Sequence, residues 1–233
     1  MQEPLQHGES LATAGRRFRA LPLPTEVPPA GFPLHTPMND SVNSNISSSM
    51  ALERAFARPP RLALRLLEPG DSAAFVDLYV KAPSKDRISR FCGGVSENFA
   101  RTYAERAMTS ATELLGLFED GLLRAAVEVY VDNQEAELAF LVAPDAQCRG
   151  MGSMLMAAGL SVAHERGACN ALVVCSYNNA AMHQVARVNG LKCKVSNMEW
   201  CAELRIDQEC DAHFPSIYQL QHALKLRDKQ LAA

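Results

Sequence analysis

The sequence predicts an α/β domain, a mixed central β-sheet with helices on both faces. Three observations predict it. Residues 113–143 hold three successive apolar runs of strand length, strand-like and helix-like segments alternate after 153, and a glycine-bearing turn at 147–152 joins a buried strand to a helix.

The elements follow in order from Arg61. RLALRLL (61–67) reads as a strand, and Glu68-Pro69-Gly70-Asp71 as a turn feeding a helix over 72–81. Ala82-Pro83-Ser84-Lys85-Asp86 reads as a polar loop, and a helix is expected over 96–108 after Cys92-Gly93-Gly94. ELLGLFED (113–120) and LLRAAVEVYVD (122–132) form an antiparallel pair joined at Asp120-Gly121. ELAFLVA (137–143), ended by Pro144, is a short buried strand. A helix over 153–167 stops at Gly167, a strand spans 171–176, a helix 179–190, and a strand pair 192–206. A last helix is expected over 216–230, and no repeat period is visible.

Of the 233 residues, 48% are hydrophobic and 21% charged, which is ordinary globular composition. Residues 1–58 are rich in Pro, Ser, Asn and Thr and read as a disordered or weakly ordered extension. Residues 59–207 form the domain, and 208–233 a helical C-terminal extension. The net charge of -3 gives no general attraction to nucleic acid, and no apolar run approaches a membrane span. The seven cysteines form no Cys-x-x-Cys pair and no zinc spacing, so no metal is expected. Reduced thiols and a cytoplasmic location follow as the simplest reading. A monomer and a homodimer both stay open.

The most informative segment is Gln147-Cys148-Arg149-Gly150-Met151-Gly152. The first amides of a helix have no internal partners and sit at the positive end of its dipole, so a glycine turn opening a helix suits an anion. Gly150 and Gly152 would let the backbone approach a diphosphate, and Arg149 could add a charged contact. Tight packing alone is the competing explanation. No Gly-Lys-Ser/Thr follows, which excludes a Walker loop, and the glycine spacing is wrong for the dinucleotide fingerprint.

This segment resembles the signature of the GCN5-related N-acetyltransferase superfamily, Gln/Arg-x-x-Gly-x-Gly/Ala. Gln147, Gly150 and Gly152 match it, with Arg149 at a commonly basic place. The resemblance covers 61–206: ELAFLVAPD precedes the loop, Asn178 and Asn179 open the next helix, and Gly190-Leu191 close it where the family has Gly-Phe. It implies the family fold, with acetyl-coenzyme A as co-substrate and an amine, protein lysine or small molecule, as acceptor. It places the diphosphate on the amides of 147–152, including Cys148 and Met151. The pantetheine arm would lie between strands 137–143, at Leu141 and Val142, and 171–176, with Asn179 and Met182 beside it. An Asn-x-x-Met at this helix start is similar to bacterial protein lysine acetyltransferase-like members.

Acetyl transfer needs a neutral amine. A lysine-type amine titrates about 3.4 units above pH 7, a cost of about 4.6 kcal/mol, and a positioned base contributes ~10²–10⁴ in rate. In the branch this chain resembles, a Glu at the start of the strand before the loop is the base, which points to Glu137. Glu135 is the same-face alternative at period two and Glu128 a third candidate; solvated strand-end carboxylates are the competing reading. Many members protonate the departing thiolate with a Tyr four residues before the closing glycine, where this chain has Ala186. That departure keeps a non-catalytic acyl-coenzyme A sensor as the alternative. Arg87 and Arg90 are candidates for the acceptor groove or for a helix-end role.

Overall fold

The computed structural model describes residues 61–110, 112–196, 199–207 and 215–231. The expected extension at 1–58 lies outside the described residues. Seven strands form one sheet in the order β1-β2-β3-β4-β5-β7-β6. They are β1 (Leu62–Leu66), β2 (Glu113–Glu119), β3 (Leu122–Asp132), β4 (Glu135–Val142), β5 (Asn170–Ser176), β6 (Lys192–Ser196) and β7 (Glu199–Arg205). Every pairing is antiparallel except β4 with β5. A parallel pair needs a crossover, and the helix after the glycine loop supplies it.

Among the described residues the α-helices are α1 (Ser72–Val80), α2 (Ser84–Phe91), α3 (Glu97–Ala107), α4 (Met151–Glu165), α5 (Ala180–Val188) and α6 (Ile217–Leu231), and two short 3-10 turns lie at Pro69–Asp71 before α1 and at Pro144–Ala146 between β4 and α4. Two apolar clusters sandwich the sheet. One joins Phe75, Tyr79 and Tyr103 of α1 and α3 to Leu141 of β4. The other joins Leu155 and Met156 of α4 to Leu138 and Phe140 of β4 and to Leu224 of α6. Helices therefore cover both faces, as the periodicity predicts. Among the described residues no helix is long and apolar enough to cross a membrane.

Two boundaries differ from expectation. The segment read as a polar loop opens α2, because Arg87 donates to the Ala82 carbonyl at 2.6 Å and holds the end of α1 against the new helix. Helix α4 begins at Met151 rather than 153, since Gly150 at φ 80° is itself the N-cap.

Candidate active site

Strands β4 and β5 pair only at Glu135–Asn170, Ala136–Ala171 and Glu137–Leu172. Beyond Glu137 they part. A cleft of about 390 Å³ opens between them, walled by Leu138–Val142 on one side and Val173–Cys175 on the other. Cleft-side backbone without a strand neighbour can pair with an amide-bearing ligand as an added strand would.

The glycine loop closes one end. Gln147, Cys148 and Gly150–Ser153 line the cleft there. Cys148 and Gly150 both have positive φ, 57° and 80°, and the first intrahelical bond runs from the Met154 amide to the Gly150 carbonyl. The amides before Met154 therefore lie outside the α4 ladder, at the positive end of its dipole. The two glycines have different reasons. A Cβ at Gly150 would meet nothing within 4 Å, so its backbone conformation demands glycine, whereas a Cβ at Gly152 would come within 3.2 Å of Val185 on α5. Gly152 is thus a close-packing position between two helices.

The remaining sequence candidates divide. Asn179 caps α5 by accepting from the Met182 amide at 3.0 Å, and both residues line the cleft. Leu141, Val142 and the buried Met151 line it as well. The Gln147 side chain turns inward to the protein, its Nε2 donating to Asp86 Oδ2 at 3.0 Å and to the Val142 carbonyl at 3.2 Å. The Arg149 guanidinium does not line the cleft. It is held by Glu119 at the end of β2, which raises its pKa, so a charged contact from Arg149 into the cleft is not the arrangement found.

Glu137 stands at the fork, the last β4 residue paired with β5. By strand alternation it shares a face with Ala139 and Leu141. It lines a second, smaller cavity with Tyr130, Asp132, Glu135, Leu172 and Val174, and Val174 also lines the cleft. Glu137 and Glu135 are brought together there; Glu128 is not. Glu128 is 2% exposed and tied up in a buried network. Arg90 Nη2 donates to Glu128 Oε1 at 2.6 Å, Tyr103 donates to Oε2 at 2.8 Å, and Tyr79 also donates to Oε1. Burial works against the Arg90 charge, but Glu128 and the two tyrosines together more than offset it and hold that pKa well above the ordinary value. Burial also raises both phenols, so Tyr79 and Tyr103 stay protonated. Glu128 lines neither the cleft nor the second cavity, unlike Glu137 and Glu135, which line the second.

Arg87 serves a helix end, while Arg90 lines the cleft. Sequence reasoning missed Asp86 and Ser89, which reach the cleft because α2 lies over the fork. Ala186 is fully buried, and Leu191 fills a buried position at the end of its helix turn.

An α/β fold with a splayed parallel strand pair and a glycine loop at a helix N-terminus sets an anion-binding helix end beside strand backbone open to a ligand. Residues 77–191 match the Acetyltransferase (GNAT) family. Those residues form a domain of this acetyltransferase superfamily. The fold is shared with the GNAT domain of S. lividans PAT, at 22% identity, TM-score 0.54, covering 61% of this chain and 89% of that one. It is shared with the PaiA N-acetyltransferase of Thermoplasma acidophilum in complex with coenzyme A, at 17% identity, TM-score 0.50, covering 62% and 98%. YncA of Salmonella typhimurium, solved with its cofactor acetyl-CoA, has 15% identity and TM-score 0.50, covering 65% and 97%. No curated protein is significantly similar to the chain in sequence.

Proposed function

We propose that the chain transfers an acetyl group from acetyl-coenzyme A to an amine, with a protein lysine ahead of a small-molecule amine as acceptor and Glu137 as the base. The observation that carries this is the parting of β4 from β5 at Glu137–Leu172, with a carboxylate where the cleft meets the second cavity. The amides of 148–152 would hold the diphosphate, and Leu141, Val142, Asn179 and Met182 the pantetheine arm. Acetyl-coenzyme A supplies the activated acyl carbon.

On this reading the acceptor arrives from the side of the second cavity. Asp132, Glu135 and Glu137 line that cavity, and their negative charge favours a cationic amine such as a lysine side chain. Glu137 takes the ammonium proton, the amine nitrogen bonds to the acyl carbon, and a cleft-side amide of β4 polarises the acyl oxygen. The C–S bond then breaks as the newly bonded nitrogen gives up its second proton to solvent. With Ala186 in the place of a phenol, the departing sulfur takes its proton from solvent.

Calorimetry of acetyl-coenzyme A with the native protein and Gly150→Glu tests the loop, and an amine screen with Glu137→Gln and Glu135→Gln tests the base. Glu137→Gln is expected to keep cofactor affinity and lose ~10²–10⁴ in kcat/KM. Loss in Glu135→Gln alone would move the role to that residue. Binding without turnover for any amine would favour the sensor, and no binding by the native protein would overturn both readings.

A further inference from the structure

Helix α2 touches the candidate site at both of its ends. Near its start, Asp86 accepts from Gln147 Nε2 at 3.0 Å, and Gln147 also reaches the Val142 carbonyl. That links α2 to the glycine loop and to the end of β4. Near its close, Arg90 donates to Glu128 Oε1 at 2.6 Å and to the Tyr103 hydroxyl at 2.8 Å, and its Nε donates to the Tyr79 hydroxyl at 3.2 Å. Those partners lie on β3, α3 and α1, so one guanidinium ties α2 to three other elements. Glu128 stands opposite Ala139 in the β3–β4 register, beside the wall of the cleft.

The pair is costly where it stands. Both side chains are 2% exposed, and a buried ion pair commonly stabilises a fold no better than apolar residues of the same volume. Its geometry, however, is directional in a way that apolar packing is not. The guanidinium plane accepts one orientation relative to Glu128 and the two phenols, which fixes the rotation and height of α2 over the fork. Asp86, Ser89 and Arg90 all line the cleft, so that rotation sets its shape.

We propose that Arg90 is a positioning residue for the transfer reaction: locked to Glu128, it holds α2 across the β4–β5 fork, while Asp86 carries the same helix to the glycine loop. This rests on the reading of the cleft as the acetyl-coenzyme A site. The network is the fixed end of a strut and the Asp86–Gln147 bond its free end.

Two variants test it. One replaces the network with apolar side chains of similar volume (Tyr79→Phe, Arg90→Met, Tyr103→Phe, Glu128→Leu); the other is Asp86→Ala, at the partly exposed end. Both are expected to melt cooperatively, to raise the KM and Kd for acetyl-coenzyme A by about 10- to 100-fold, the scale of a ~1 Å misplacement, and to change kcat little. Hydrogen exchange of the 86–91 amides is expected to quicken in both, with α4 unchanged. A stable network replacement with native Kd and KM would show that the pair only packs the core and would overturn the proposal. If that replacement does not fold, Asp86→Ala decides alone, and native affinity there overturns it. The exchange experiment needs no ligand, so a native protein that fails to bind acetyl-coenzyme A would sink the functional reading while the strut is still judged by the amides.

Discussion

Gly159 shows how a single missing methyl sets the spacing of the layers. It lies inside α4, where glycine is about 1 kcal/mol worse than alanine for the helix itself. A Cβ there would come within 2.6 Å of Leu138 Cδ2 and 3.5 Å of both Val127 and Val129. The residue is therefore a point of close approach of α4 to β3 and β4. Gly159→Ala recovers the helix propensity but forces Leu138, 1% exposed and part of the cleft wall, off its position. Overpacking of this kind costs about 1–3 kcal/mol, which outweighs the gain. A net loss of about 1 kcal/mol is expected, read as a fall in Tm, and an equal or higher Tm would show that Leu138 rotates freely. The same scale explains what the motif could and could not reveal. The glycines of the loop were legible, but Gly150 and Gly152 serve conformation and helix packing respectively, and Gln147 binds Asp86 and Val142 within the protein. A signature records that a residue type is needed, while the neighbour that needs it comes from another part of the chain.

Among the elements, α2 is the one that the sequence conceals. SKDRISRF has two apolar residues in eight and no apolar stripe. Its buried residues are arginines, Arg87 hydrogen-bonded to the carbonyl of Ala82 and Arg90 to Glu128. Periodicity methods look for apolar residues on the core face, so a helix docked by buried guanidinium groups reads as loop. Most of the strands and the helices α1, α3, α4, α5 and α6 were legible to within a few residues because their core faces are apolar, whereas β6 is exposed over 192–195. The junction of β1 with α1 carries a different electrostatic device. Arg65 bonds both Asp71 oxygens, at 2.6 and 2.8 Å, and Asp71 also accepts from the Glu68 amide at 2.8 Å. The hydrogen bond from Arg65, then that from the Glu68 backbone, lower the Asp71 pKa against the opposing effect of burial. A carboxylate lowered below its unfolded value of about 3.9 stabilises the fold above that pH and loses the contribution as pH falls through the folded value. Asp71→Asn is therefore expected to cost about 1 kcal/mol at pH 7, discounted because Arg65 is 37% exposed, and to flatten the acid limb of Tm against pH below about 4. Parallel acid limbs for the two proteins would show that Asp71 does not govern that slope.

At the scale of the molecule, the open question is where the domain ends. The sequence places the boundary at 207, because the composition turns mixed there and a helix follows at a distance. In the structure α6 lies against β1 and α4. Gln221 Nε2 donates to the Leu64 carbonyl at 2.7 Å, Ser161 Oγ donates to the Pro215 carbonyl at 2.6 Å, and Leu224 is 9% exposed. Ile217 and Leu220 pack partly buried against the same core. Strand β1 is the sheet edge farthest from the cleft, so α6 covers an edge that carries no part of the candidate site. A chain ended after Asp207 would expose these aliphatic groups and the Leu64 carbonyl together. Full burial is worth about 1.5–3 kcal/mol for each such side chain, and partial burial of three of them sums to about 3 kcal/mol. The shortened chain is expected to melt several degrees lower, by calorimetry, yet to keep its acetyl-coenzyme A affinity at temperatures where it remains folded. An unchanged Tm would place the boundary at 207 after all, with α6 an attachment. Loss of affinity without loss of Tm would mean that the far edge of the sheet is coupled to the fork, through the β1-β2-β3-β4 order, more tightly than its distance suggests.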